Sequence, residues 1–265
     1  MLLASLLFPS VHEQSRASVV SGASIVRWGQ ALVPKRCMHC GARGGRANDA
    51  LRSLALSLTT VKALEEIMTH ATFGVGDMHL SALDVGLQWG LETVLPIVDA
   101  FRLGLLNRQL NKIYCSMIKE DGNEPRGAAT LQKLIGFLTG DTPDNIRVLV
   151  CRAFANAVVH KWGCHMLLSD LSTSVSALLA QLTKTKAPLQ LAASSALANF
   201  ALMLLKHTES EEIDELGPRE DMIMLTIKSA KAQGIVAIVN RMRDVVADER
   251  VKAIARDIVE MTYAV

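Results

Sequence analysis

The sequence predicts an all-α protein built from stacked helical repeats. Three observations carry this. Aromatic residues make up only 4% of the 265 residues, whereas Leu (37) and Ala (32) dominate. Leu and Ala are strong helix formers, while sheets favour aromatic and β-branched residues. Apolar residues recur at helical spacing along most of the chain. A short sequence pattern also returns after 43 residues.

The elements follow in order. Residues 1–52 hold seven basic and two acidic side chains and are rich in Ser and Gly. They show no sustained periodicity and read as a basic, poorly ordered extension, followed by one domain over 53–265. The extension carries a net +5 and the remainder a net −3. Leu2–Phe8 is apolar but has no basic residue ahead of it, which argues against a secretory signal; a mitochondrial-type presequence is the minority alternative. Arg52–Thr69 is the first predicted helix, stopped by Gly74 and Gly76. Leu80–Trp89 and Glu92–Gln109 follow, the latter with Pro96 in its first turns, where proline is tolerated. Residues 121–127 (DGNEPRG) form a loop. Ala128–Leu138 is helical. Residues 139–144 make a turn expected to cap a helix over Asn145–His160. Cys164–Thr183 and Pro188–His207 are two further helices. Residues 208–220 are an acidic linker ending in Gly217-Pro218. Asp221–Arg243 reads as one helix or as two broken near Gly234, and Asp248–Tyr263 closes the chain as a helix.

Two of these segments match. NIRVLVCRAFANAVVH (145–160) and PLQLAASSALANFALMLLKH (188–207) each contain an Ala-Asn pair, at Ala155-Asn156 and Ala198-Asn199. The interval of 43 residues fits the armadillo and HEAT period of about 40–47. Such repeats cannot bury their faces alone and stack into a superhelix with a concave binding face. An Asn on the inner helix offers both a donor and an acceptor to an extended peptide. Equally, each Asn can satisfy the backbone of a neighbouring repeat. Periodicity leaves both readings open.

Several functions find little support. The apolar run Leu189–Leu205 is interrupted by Gln190, Ser194, Ser195 and Asn199, and no uninterrupted run reaches the roughly 18 residues of a membrane span. Five cysteines make no disulfide framework and suggest a reducing compartment. Cys37-Met38-His39-Cys40 is a lone CxxC, short of the four ligands of a structural zinc site, so no metal is expected. Cys164 and His165 are adjacent, so their side chains diverge on a helix. No nucleophile–base or paired-carboxylate set assembles. Neither catalysis nor a cofactor is therefore expected. The glycines of 41–45 close with no Gly-Lys-Ser/Thr, so no phosphate loop is present. The basic extension has one aromatic residue after Phe8, Trp28, which does not support a stacking surface for specific nucleic acid.

The run Leu131–Ala201 resembles the PUL domain, the C-terminal module of phospholipase A-activating protein. The resemblance rests on Leu134-Ile135-Gly136-Phe137-Leu138, on Val150-Cys151-Arg152-Ala153-Phe154-Ala155-Asn156, on Gly163–Leu168 and on Ala193–Ala201. Leu87-Gln88-Trp89 and Leu95–Leu103 extend it upstream, and Ser229–Glu260 downstream. It implies an armadillo-like helical repeat superhelix (an α-solenoid). It also implies a non-catalytic adaptor that docks the acidic C-terminal tail of the AAA ATPase valosin-containing protein, in ubiquitin-dependent degradation and ubiquitin homeostasis. Ubiquitin-pathway proteins would then be indirect partners, in the cytoplasm and also the nucleus. Arg102, Arg152 and Lys206 are the candidate groove cations, and Asn156 and Asn199 the candidate backbone clamps. Arginine suits a carboxylate because its planar fork binds both oxygens. For each cation a solvated surface charge is an equal alternative. The sequence departs from the family over 208–228, which is short and acidic where a further helical pair is expected. One repeat is thus shortened or missing, and with it the second groove arginine; Arg219 sits beside a Gly-Pro turn. Two alternatives remain: an accessory domain of a thiol hydrolase of desumoylase or thioredoxin type, and a scaffold for another peptide.

Overall fold

The computed structural model describes residues 58–70, 72–119 and 124–206, together with Glu249, Lys252, Ala253 and Arg256. The basic extension, the CxxC of Cys37–Cys40, the acidic linker and most of the two closing helices lie outside the described residues. Among the described residues the secondary structure is helical, with no strand. The chain divides into two compact units after Asn107.

The first unit contains α1 (Leu58–Thr69), α2 (Asp77–Gly86) and α3 (Leu95–Gly104), each packed against the other two. Ala63, Leu64 and Ile67 of α1 meet Ala82 and Leu83 of α2 and Ile97, Val98 and Phe101 of α3 in one buried core. α2 begins directly after Gly76, three residues ahead of the sequence expectation. Its third residue, His79, is buried; its Nδ1 accepts the Gly76 N–H at 3.1 Å. The imidazole thereby satisfies a donor at the helix start. The other ring nitrogen, Nε2, lies 3.1 Å from the Glu66 carboxylate on α1. α2 stops at Gly86, where a β-carbon would collide with the Ile97 side chain.

Glu92–Gln109 is not one helix. α3 starts at Leu95 with Pro96 in its first turn and ends at Gly104. The backbone then tightens, with Leu106 N–H bonding Leu103 C=O and Asn107 N–H bonding Gly104 C=O. Asn107 Nδ2 donates to the Phe73 carbonyl at 3.0 Å. A tertiary hydrogen bond at Asn107, next to a glycine of poor helix propensity, breaks what periodicity alone would continue.

The second unit contains α4 (Arg108–Cys115), α5 (Gly127–Thr139), α6 (Asp144–Ala157), α7 (Lys161–Ser169), α8 (Leu171–Leu182) and α9 (Ala187–Lys206). The predicted Cys164–Thr183 helix is two helices parted at Asp170. This residue has φ −142° and ψ 62°, and its carboxylate accepts the Thr173 N–H as the N-cap of α8. Ser-Asp ahead of a Ser/Thr-rich start is a helix-initiation signal that the sequence reading passed over. α6 starts at Asp144 behind Pro143, which holds no capping side chain. The expected side-chain cap is therefore absent. Instead Arg147 pairs with Asp144 at 3.3 Å and donates to the Gly140 carbonyl at 2.8 Å.

The 43-residue repeat is visible in the packing. Shifting α5 by that interval lands on α8 to within one residue, and shifting α6 lands on the start of α9. α5 packs on α8 and α6 on α9, so two hairpins stack with like helices adjacent. The shared core includes Phe154 and Phe200, both buried, with ring centroids 6.4 Å apart. Aromatic pairs at this separation add to the burial itself.

Candidate functional site

Side-chain amides tie these repeats together. Asn199 on α9 donates through Nδ2 to the Ala155 carbonyl on α6 at 3.0 Å. Gln181 on α8 donates to the Leu138 carbonyl at the end of α5 at 3.2 Å. Asn111 on α4 is fully buried; it donates to the Ala157 carbonyl at 3.0 Å and accepts the Gly163 N–H at 3.0 Å. A carbonyl in the last turn of a helix has no partner within that helix. Each amide therefore satisfies a group that burial would otherwise leave costly. Gly163 is required at this corner, because a β-carbon there would run into the Ala157 carbonyl.

The expected site residues are placed as follows. Asn199 makes the repeat-to-repeat bond just described. Asn156 lies part-buried on α6, four residues after Arg152, so the two share a helix face. Arg152 is exposed midway along α6. Arg102 is only 6% exposed, and its Nε donates to the Asp99 carboxylate at 2.5 Å within α3. Lys206 is the last residue of α9, with its side chain outside the described residues. Arg152, Asn156 and Asn199 lie in the second unit, on α6 and α9, which pack side by side; Arg102 belongs to the first unit. The sequence reading missed Asn111 and Gln181. A signal was present for Asn111, which precedes Asn156 by 45 residues, close to the repeat period.

The stretch of chain around Arg152 lacks carboxylates. No Asp or Glu occurs between Asp144 and Asp170, whereas Arg147, Arg152 and Lys161 do. Among the described residues the thiols of Cys115, Cys151 and Cys164 are buried. Burial pushes Cys151 up to about 12. Cys115 is raised further, by burial first and then by Cys164. Cys164 Sγ donates to the Val158 carbonyl at 3.3 Å. Among the described residues no three His, Cys, Asp or Glu side chains gather as a metal site. No described helix is long and apolar enough to cross a membrane.

The described residues form an all-α fold, with like helices stacked at a 43-residue interval in the second unit. The particular family is given by comparison: the PUL domain matches residues 45–257, most of the chain, and the chain belongs to the PUL domain family. It is similar to a ubiquitin fusion degradation protein 3 homolog of Caenorhabditis elegans, 31% identical over 257 residues. That similarity covers 82% of this chain but only 29% of the relative. The chain thus corresponds to less than a third of that protein's length.

Proposed function

We propose that this chain is a non-catalytic, peptide-binding adaptor in ubiquitin-dependent protein degradation. Its ligand on this reading is the acidic C-terminal tail of the AAA ATPase valosin-containing protein. Family membership and the relative's name in ubiquitin fusion degradation support the pathway. The observation that carries the tail-binding role is the exposed Arg152 on α6, within a stretch of chain that holds no carboxylate. An extended acidic tail needs cations for its carboxylates and partners for its backbone. In this proposal Arg152 is the principal cation, with Asn156 beside it and Lys206 at the end of the neighbouring helix. Asn199 shapes the groove, since it already spends an amide proton on Ala155; Arg102 belongs to the first unit and is neutralised by Asp99, so it takes no part in this reading.

Fluorescence polarisation with a labelled tail peptide tests this. The expected affinity is micromolar, since an extended tail pays ordering entropy and buries limited area. Arg152→Ala is expected to weaken binding by about 1–3 kcal/mol, with circular dichroism showing that the variant is folded. Absence of saturable binding by the folded full chain would sink the reading.

A further inference from the structure

One face of α2 is apolar, exposed and edged by acid. Among the described residues four large apolar side chains are exposed, and two of them, Met78 and Val85, belong to this ten-residue helix. They stand seven residues apart, two turns and about 10 Å along one stripe. Ser81, also exposed, lies between them. Asp77 and Asp84 each precede one of the pair and edge the stripe, and α2 contains no Lys or Arg. The acidity extends beyond this helix. Residues 58–107 hold six carboxylates against two bases, whereas 108–206 hold eleven bases against six carboxylates.

The same face of a second copy is a poor occupant, because Asp77 and Asp84 would meet their own counterparts. A segment that is both apolar and basic fits, and the chain has one ahead of α1. Between Gln14 and Asn48 it carries six bases and no carboxylate. Within this stretch Ile25, Trp28 and Leu32 recur at the i, i+3, i+7 spacing by which an apolar helix face engages a partner. Arg27, Lys35 and Arg36 accompany them. The Ile25–Leu32 interval equals the Met78–Val85 interval, so the two sets of anchors share a register. Leu32 lies 26 residues ahead of Leu58, where α1 begins. At about 3.3 Å per extended residue this reaches any face of three short helices. We propose that residues 25–36 dock as a short helix on the Met78–Val85 stripe of α2. Ile25, Trp28 and Leu32 cover the apolar groups, and the three bases lie toward Asp77 and Asp84. The tether makes the contact intramolecular, so a small apolar area suffices. Charge also directs this segment away from the second unit, where bases outnumber carboxylates over 108–206.

The full chain carrying benzoylphenylalanine in place of Ser81 is irradiated at several protein concentrations, and the cross-links are mapped by mass spectrometry. A cross-link from this position into residues 25–36 of the same chain is expected, with a yield independent of concentration. The yield is expected to fall about fivefold or more in Arg27→Glu/Lys35→Glu/Arg36→Glu, and likewise in Ile25→Ser/Trp28→Ser/Leu32→Ser. Both variants leave the described helices untouched. Raising salt from about 50 to 500 mM is expected to lower the yield as well. The same label in place of Ser172, exposed on α8, is expected to capture the segment far less. The proposal is overturned if the label at Ser81 captures no part of 25–36, or if its cross-links join two chains and grow with concentration. It is equally overturned if either variant leaves the yield unchanged, or if the label at Ser172 captures the segment as well as the label at Ser81.

Discussion

Asn111 shows how much one buried amide can hold. Its two hydrogen bonds join α4 to the corner between α6 and α7, 46 and 52 residues further along the chain. Asn111→Ala would leave the Ala157 carbonyl and the Gly163 N–H without these partners at a buried position. The expected cost is about 3 kcal/mol, readable as a lower urea midpoint with an unchanged m-value. The cysteines make a different prediction. With Cys151 raised to about 12 by burial and Cys115 raised as well, both remain thiols at pH 8. Only the thiolate is nucleophilic. Iodoacetamide at that pH is therefore expected to spare both in the native protein and to label them in urea. Rapid native labelling of Cys151 would contradict the described burial.

At the scale of elements, the stacking of α6 on α9 has an electrostatic latch at its start. Lys186, just ahead of α9, reaches Asp144, the first residue of α6, at 2.9 Å. The Asp144 carboxyl is held below the usual carboxylate range by that hydrogen bond first. Burial opposes the shift, and the charges of Lys186, Arg147 and Lys184 add to it. A carboxyl with a lowered folded pKa stabilises the fold fully above its unfolded value, near 3.8, and loses that contribution as pH falls through the folded value. Melting temperatures of wild type and Asp144→Asn are accordingly expected to differ above about pH 4 and to converge on acidification. Added salt should narrow the gap, because Lys186 is exposed. A constant difference down to pH 2 would mean that packing, not charge, separates the two.

For the whole molecule, the relevant quantity is the distribution of charge rather than its sum. The net charge is only +2, yet Arg108 and Lys112 of α4, Arg152 of α6 and Lys161 of α7 lie in stretches (100–119 and 145–169) without Asp or Glu. Binding of acidic peptides is therefore expected to weaken steadily between about 50 and 500 mM salt. The slope should be shallower in Arg152→Ala for the tail peptide. An affinity independent of salt would remove charge as the basis of recognition and favour an apolar partner. Because the chain corresponds to only 29% of its nematode relative, these expectations concern the repeat domain and not the activity of a longer protein.

Much of the architecture could be read from the order of residues. Leu and Ala content fixed the helical class, and the Asn156–Asn199 interval gave the repeat that α5–α6 and α8–α9 embody. These are local or periodic properties, written in composition and spacing. The helix breaks at Leu105–Asn107 and at Asp170 were not read correctly. The first depends on a bond from Asn107 to Phe73, which no local window contains; the second had a local capping signal. The site divides along the same line. The residue types suited to an acidic peptide were evident in Arg152 and Asn156. Burial and pairing could not be, so only the fold turned Arg102 inward onto Asp99 and Asn199 onto Ala155. The gathering of Lys161, Arg108 and Lys112 at 5.4, 5.7 and 5.8 Å from the Trp162 ring centroid likewise exists only in three dimensions. It joins residues more than fifty positions apart in Arg108 and Trp162, brought together because α4 packs against α7.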